Sequence, residues 1–220
     1  MEYGSVYNLR LIKEEDIFFC SGRIAIKNIL ATILKNGDKC LIPNYLCESI
    51  YNCFDNYEYY KITDDFNIDF DYLKELILKE QYKVIYIINF FGYIDSNIKD
   101  IKKLCSDKNI YIIEDYTHNI FSDNLYGDIC LCSYRKSLET PFGCIVNDRS
   151  KIMNISQECK FNLFYTLLVT FKLLLMMVKN FKYLKFIWRP LLLFCENNLD
   201  KLTYSNFDYI NHFFYKYYNR

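Results

Sequence analysis

Five residues stand where a side chain can do chemistry rather than only pack. Asp115 and Ser133 each end an apolar run, Lys136 follows Ser133 after two residues, and Ser21 and Gly22 open an amphipathic segment. In parallel sheets ligands bind beyond the carboxyl ends of the strands, so polar residues that stop a strand are the first candidates. A helix opened by Ser21, Gly22 and Arg23 presents backbone N–H groups and the positive end of its dipole, which suits a phosphate as well as an ordinary cap. An amine such as Lys136 attacks carbonyls and moves protons near neutral pH only if its pKa falls. Burial beside a cation does this, and Arg135 is adjacent in sequence; otherwise Lys136 is a solvated surface lysine. His118 is either a ligand-facing group or a hydrogen-bonded structural histidine.

These residues need a frame. Ser21 caps a predicted helix carrying Ile26, Ile29, Leu30, Ile33 and Leu34 at helical spacing, with Gly37 as its C-terminal glycine. Lys39 to Pro43 reads as a strand, Glu48 to Phe54 as the start of a helix, and Tyr57 to Ile62 as a further strand. Asp69 to Lys79 and Ser96 to Cys105 read as helices; Val84 to Asn89 and Ile110 to Ile113 read as buried strands. Asp128 to Ser133 and Gly143 to Val146 read as the last two strands. Strands alternating with helices imply an α/β fold with a mostly parallel sheet covered by helices on both faces.

A chain of 220 residues accommodates one such domain and an appendage. We divide it into 1–150, the large domain, and 151–220, a helical C-terminal segment. Lys plus Arg and Asp plus Glu are each 27, so charge balance gives no reason to expect a nucleic-acid partner. Ten cysteines without a C-x-x-C pair read as reduced thiols of a cytoplasmic protein. Cys130 and Cys132 read as buried hydrophobes, and no metal is expected. No secretory leader is expected.

Taken in order, Cys20 to Ala25 (CSGRIA), Phe90 to Tyr93 (FFGY), Ile113 to His118 (IEDYTH) and Ser133 to Gly143 (SYRKSLETPFG) resemble the DegT/DnrJ/StrS family of aminotransferases, which depend on pyridoxal 5'-phosphate (PLP). The resemblance spans about Phe18 to Val146. It implies a large domain of fold type I, like that of aspartate aminotransferase. It further implies Lys136 as the amine that bonds the cofactor aldehyde and Asp115 as the partner of the pyridine nitrogen. His118 would lie near the ring, and Ser21, Gly22, Arg23 and Ser133 would hold the phosphate. Cys47, in Pro43 to Ser49, falls where the family carries a stacking aromatic; Tyr45 or Phe91 is the alternative ring. The implied reaction moves an amino group from an amino-acid donor to a keto group of a nucleotide-linked sugar for surface polysaccharide, in a homodimer.

Two departures stand against this. Family members continue into a smaller C-terminal domain, and the second glycine expected after Pro141 is Cys144. A truncated or degenerate relative that keeps the fold without turnover therefore stays open. So does an interaction or membrane-surface module working through 161–194. Phe161 to Val178 and Phe181 to Phe194 are strongly apolar, but Lys172 interrupts a run that would need about twenty apolar residues to span a bilayer. Buried helices are expected there, and no membrane partner.

Overall fold

The computed structural model describes residues 16–19, 21–120, 122, 124–136, 143–153, 163–178 and 185–201. Among the described residues seven strands form one sheet: β1 (Ile17–Phe19), β2 (Cys40–Pro43), β3 (Tyr57–Tyr60), β4 (Val84–Ile88), β5 (Tyr111–Asp115), β6 (Ile129–Cys132) and β7 (Cys144–Asp148), in the order β1-β7-β6-β5-β4-β2-β3. The pairs from β3 through β6 are parallel, while β7 runs antiparallel to both β6 and β1. The short β1 was not anticipated, because three residues carry too little periodicity to be read alone.

Apolar runs explain the central strands: β2, β6 and most of β4 and β5 are buried on both faces, as parallel strands between helices must be. Helix α1 (Gly22–Ile33) lies on one face, packing Ile26, Ile29 and Ile33 against Tyr86, Ile113 and Leu131 of the strands. Helices α3 (Phe70–Lys79) and α4 (Ile98–Asp107) cover the other, through Leu73, Ile77 and Ile101 against Leu41, Ile85 and Ile112.

Several boundaries differ from those expected, and three of them, at helix ends, have a clear cause. Helix α1 ends at Ile33 because Leu34 turns extended while its N–H still reaches the carbonyl of Leu30; Gly37, at φ 92°, serves the following turn and not the cap. Helix α2 is the single turn Glu48–Tyr51. Beyond it the N–H groups of Cys53 and Phe54 bond three residues back, and both side chains enter the core. Helix α4 starts at Ile98, since the Asp95 carboxylate accepts from the N–H groups of Ile68 and Asn97 and holds the preceding turn.

Glu114, next to Asp115 in the sequence motif, faces away from it. Its fully buried carboxylate accepts from Asn89 Nδ2 at 2.8 Å and from the N–H groups of Tyr126 and Gly127 at 2.6 Å each. It therefore anchors the loop that leads into β6. A Cβ at Gly127 would lie 2.7 Å from the Cβ of Glu114 and 3.0 Å from the Ile129 carbonyl. Gly127→Ala is expected to lower stability by about 1–3 kcal/mol in urea denaturation, since neither neighbour is a flexible side-chain end.

After β7 the described chain contains two further helices, α5 (Leu163–Val178) and α6 (Lys185–Lys201), which pack on each other. No described helix is long and apolar enough to cross a membrane.

Candidate functional site

The carboxyl ends of β2, β4 and β5 and the turn after β6 surround a cavity of about 330 Å³, whose lining includes Tyr45, Cys47, Phe90, Asp115, His118 and Lys136. Its position follows from the sheet: parallel strands end on one edge, and their last residues converge there.

Asp115 is the fixed point. It is 5% exposed, its Oδ2 accepts from the Tyr86 hydroxyl at 2.6 Å and its Oδ1 from the Thr117 N–H at 2.9 Å. Burial first, then the neighbouring Asp115 charge, holds the Tyr86 pKa well above the usual phenol range, so the hydroxyl stays a donor. Thr117 passes the connection on. Its Oγ1 accepts from the Ser133 N–H at 2.9 Å, and the Ser133 carbonyl accepts from the Lys136 N–H at 3.2 Å. That last bond closes the turn Tyr134–Lys136, which brings Lys136 to the cavity with its side chain exposed.

His118 Nδ1 accepts from the Phe91 N–H at 3.3 Å, and the two rings stack at 6.1 Å. With Nδ1 accepting, the proton of the neutral imidazole sits on Nε2. Phe91 has φ 53° and Phe66 has φ 60°, and their rings meet edge to face at 4.8 Å. Phe66 also touches Tyr45 and Phe90, giving the cavity an aromatic rim. The left-handed backbone disfavours side chains of this size, so the surrounding bonds must impose it.

The expected residues divide into two groups. Asp115, His118, Cys47 and Lys136 share the cavity, whereas Ser21, Gly22 and Ser133 do not line it. The Ser21 hydroxyl caps α1 by accepting from the Ile24 N–H at 3.4 Å, and Ser133 Oγ donates to the Gly143 carbonyl at 3.1 Å. Gly22 nevertheless stands beside Ser133, since a Cβ there would lie 3.9 Å from the serine Cβ. Arg23 lines a separate hollow with Lys27, Ser49 and Cys53. Thr117 and Phe66 were missed. Thr117 lies inside the E-D-x-x-H motif at an unspecified position, and Phe66 carries no pattern, because only its φ and ring contacts mark it.

Cys47 takes part in the electrostatics of the cavity. Its Sγ lies 3.2 Å from Ser49 Oγ, and hydrogen bonds from the Ser49 hydroxyl and backbone, helped by the nearby Lys136 charge, hold its pKa below that of an ordinary thiol. Burial raises those of Cys40 and Cys105 to about 12.

Comparison with known proteins agrees with this fold. Residues 59–128 match the family model of the DegT/DnrJ/EryC1/StrS aminotransferase family. A probable aspartate aminotransferase of Methanocaldococcus jannaschii is 28% identical over 140 residues, covering 57% of this chain and 37% of the relative. Among solved structures, NtdA of Bacillus subtilis with bound PMP is similar at TM-score 0.55 and 23% identity, over 71% of this chain and 41% of that one. A DegT DnrJ EryC1 StrS aminotransferase of Brucella abortus is similar at 0.53 and 17%, over 71% and 44%. The PLP-bound C-S lyase of Staphylococcus hominis also reaches 0.53 at 17%, over 64% and 44%. The chain thus has the large-domain fold of fold type I enzymes, and it spans well under half the length of these relatives.

Two outcomes follow from the geometry. Tyr86→Phe leaves a buried carboxylate one donor short and should cost about 1–3 kcal/mol in urea denaturation. Alkylation of Cys47 by iodoacetamide, followed against pH by peptide mass spectrometry, should have its midpoint below that of a free thiol. In Ser49→Ala the midpoint should move up, since the largest cause of the depression is removed.

Proposed function

We propose that this chain is the cofactor-binding part of a PLP-dependent aminotransferase that moves an amino group from an amino-acid donor to a keto group, on a nucleotide-linked sugar for surface polysaccharide. The observation that carries the reading is the convergence of Asp115 and Lys136 on one aromatic-rimmed cavity at the carboxyl edge of the sheet. A scaffold alone needs neither a doubly held carboxylate nor an amine there.

The residues present fit the cofactor. The cavity, about 330 Å³, is of ligand size and is flanked by aromatic rings above a buried carboxylate. When bound, PLP supplies an aldehyde for amines and a ring that draws electrons from the adjoining carbon. Asp115, oriented by Tyr86 and Thr117, would keep a proton on the ring nitrogen. Lys136 would bond the aldehyde, give way to the amino donor, and then carry protons as base and acid from its Nζ. The Nε2–H of His118 is the group available to a phenolic oxygen. Ser21 and Gly22 at the start of α1, with Ser133 beside Gly22, would hold the phosphate, whereas Arg23 lines its separate hollow. Cys47 would take the stacking position, and the aromatic rim would exclude water.

With this reading come a homodimer, small-molecule substrates with no nucleic acid, a cytoplasmic location, and a division into 1–150 as the cofactor domain and 151–220 as a helical segment. A second reading, cofactor binding without turnover, is favoured by Cys47 in place of a stacking ring and Cys144 in place of a glycine.

The absorbance spectrum of the chain with added PLP, before and after borohydride, tests both. A visible band that reduction fixes to the protein, and that Lys136→Ala abolishes, is expected. Glutamate should bleach the band if the donor half-reaction runs; a band that glutamate leaves unchanged would favour binding without turnover. No band in the folded parent would overturn the proposal.

A further inference from the structure

We propose, resting on the cofactor reading, that the Thr117 hydroxyl donates a hydrogen bond to a phosphate oxygen of the cofactor and so marks the phosphate end of the cavity. Thr117 is 4% exposed and lines the cavity. Its N–H donates to Asp115 Oδ1 at 2.9 Å, and its Oγ1 accepts from the Ser133 N–H at 2.9 Å. Those bonds leave the hydroxyl proton without an acceptor among the described residues. A buried hydroxyl both accepts and donates, and the space that Thr117 borders is where a ligand oxygen can take the proton.

Position selects the acceptor. Ser21, Gly22 and Ser133, the groups assigned to the phosphate, stand beyond the cavity lining, whereas Thr117 stands on it. Thr117 is bonded to one of them, Ser133, whose Cβ would lie 3.9 Å from a Cβ on Gly22, the first residue of α1. The first N–H groups of a helix have no carbonyl behind them and favour an anion. Bonds therefore run from Asp115, which would meet the ring nitrogen, through Thr117 to Ser133 beside the start of α1. A hydroxyl that accepts from an N–H is also a stronger donor, because each bond polarises the next. A phenolic oxygen is already matched by the Nε2–H of His118, which leaves the phosphate to Thr117.

Dissociation constants of PLP and of pyridoxal, which lacks the phosphate, measured by absorbance titration of the whole chain and its Thr117 variants, test the proposal. Thr117→Val should weaken PLP about 10- to 100-fold more than pyridoxal, the range for one hydrogen bond to a charged group. Thr117→Ser keeps the hydroxyl and should restore the parental ratio. Thr117→Ala, without the branched bulk of valine, should give the same change if the valine variant folds poorly by circular dichroism. In a Ser133→Ala background the change should persist; its disappearance there would assign the effect to the Ser133 hydroxyl and overturn the proposal. Equal weakening of both ligands, or an unchanged affinity for PLP, would also overturn it while leaving the cofactor reading intact. Absence of PLP binding to the parent would overturn both.

Discussion

The end of β5 carries two buried carboxylates in succession, and because side chains alternate along a strand they must face opposite sides of the sheet. Glu114 looks toward the α3 and α4 face and is satisfied by Asn89 and by the loop at Tyr126 and Gly127. Asp115 looks toward the α1 face, meets Tyr86 and Thr117, and still borders the cavity. A carboxylate buried without partners would be neutralised or would destabilise the fold. The rest of the site is built around satisfying these two. Glu114 holds the loop that delivers β6, and Asp115 is left as the one that borders the cavity.

From that point the bonds run outward without a break. The Thr117 hydroxyl joins the ends of β5 and β6, Ser133 continues to Gly143 at the start of β7, and the turn it closes carries Lys136. An amine on a flexible side chain is thereby given a short tether to a rigid carboxylate. Functional groups supported in this way keep their mutual geometry better than groups on free loops. The left-handed backbone at Phe66 and Phe91 belongs to the same design, a locally unfavourable conformation held where aromatic rings border a ligand-sized space.

The helices after β7 answer to a different constraint. Leu168, Leu175 and Cys195 are buried, while Phe164, Leu167, Phe186 and Phe194 are exposed. The sequence predicts buried helices here, whereas Phe164, Leu174 and Phe194 are exposed.

Much of the frame was legible in the sequence, because alternating apolar strands and amphipathic helices are local patterns and local patterns are what periodicity reports. The motif order likewise singled out Asp115, His118 and Lys136 before any of them had neighbours. Local pattern could not say which carboxylate of Glu114-Asp115 faces the cavity, since that depends on what lies above and below the sheet. Nor could it find Thr117 or Phe66, whose parts in the site consist of contacts with residues distant in the chain. Arg23 shows the same limit from the other side: adjacent to Gly22 in sequence, it lines a different hollow. The sequence by itself determined which residue types end the strands and open the helices. The tertiary structure alone decided which of them meet, because that meeting is set by the register of parallel strands whose partners are far apart along the chain.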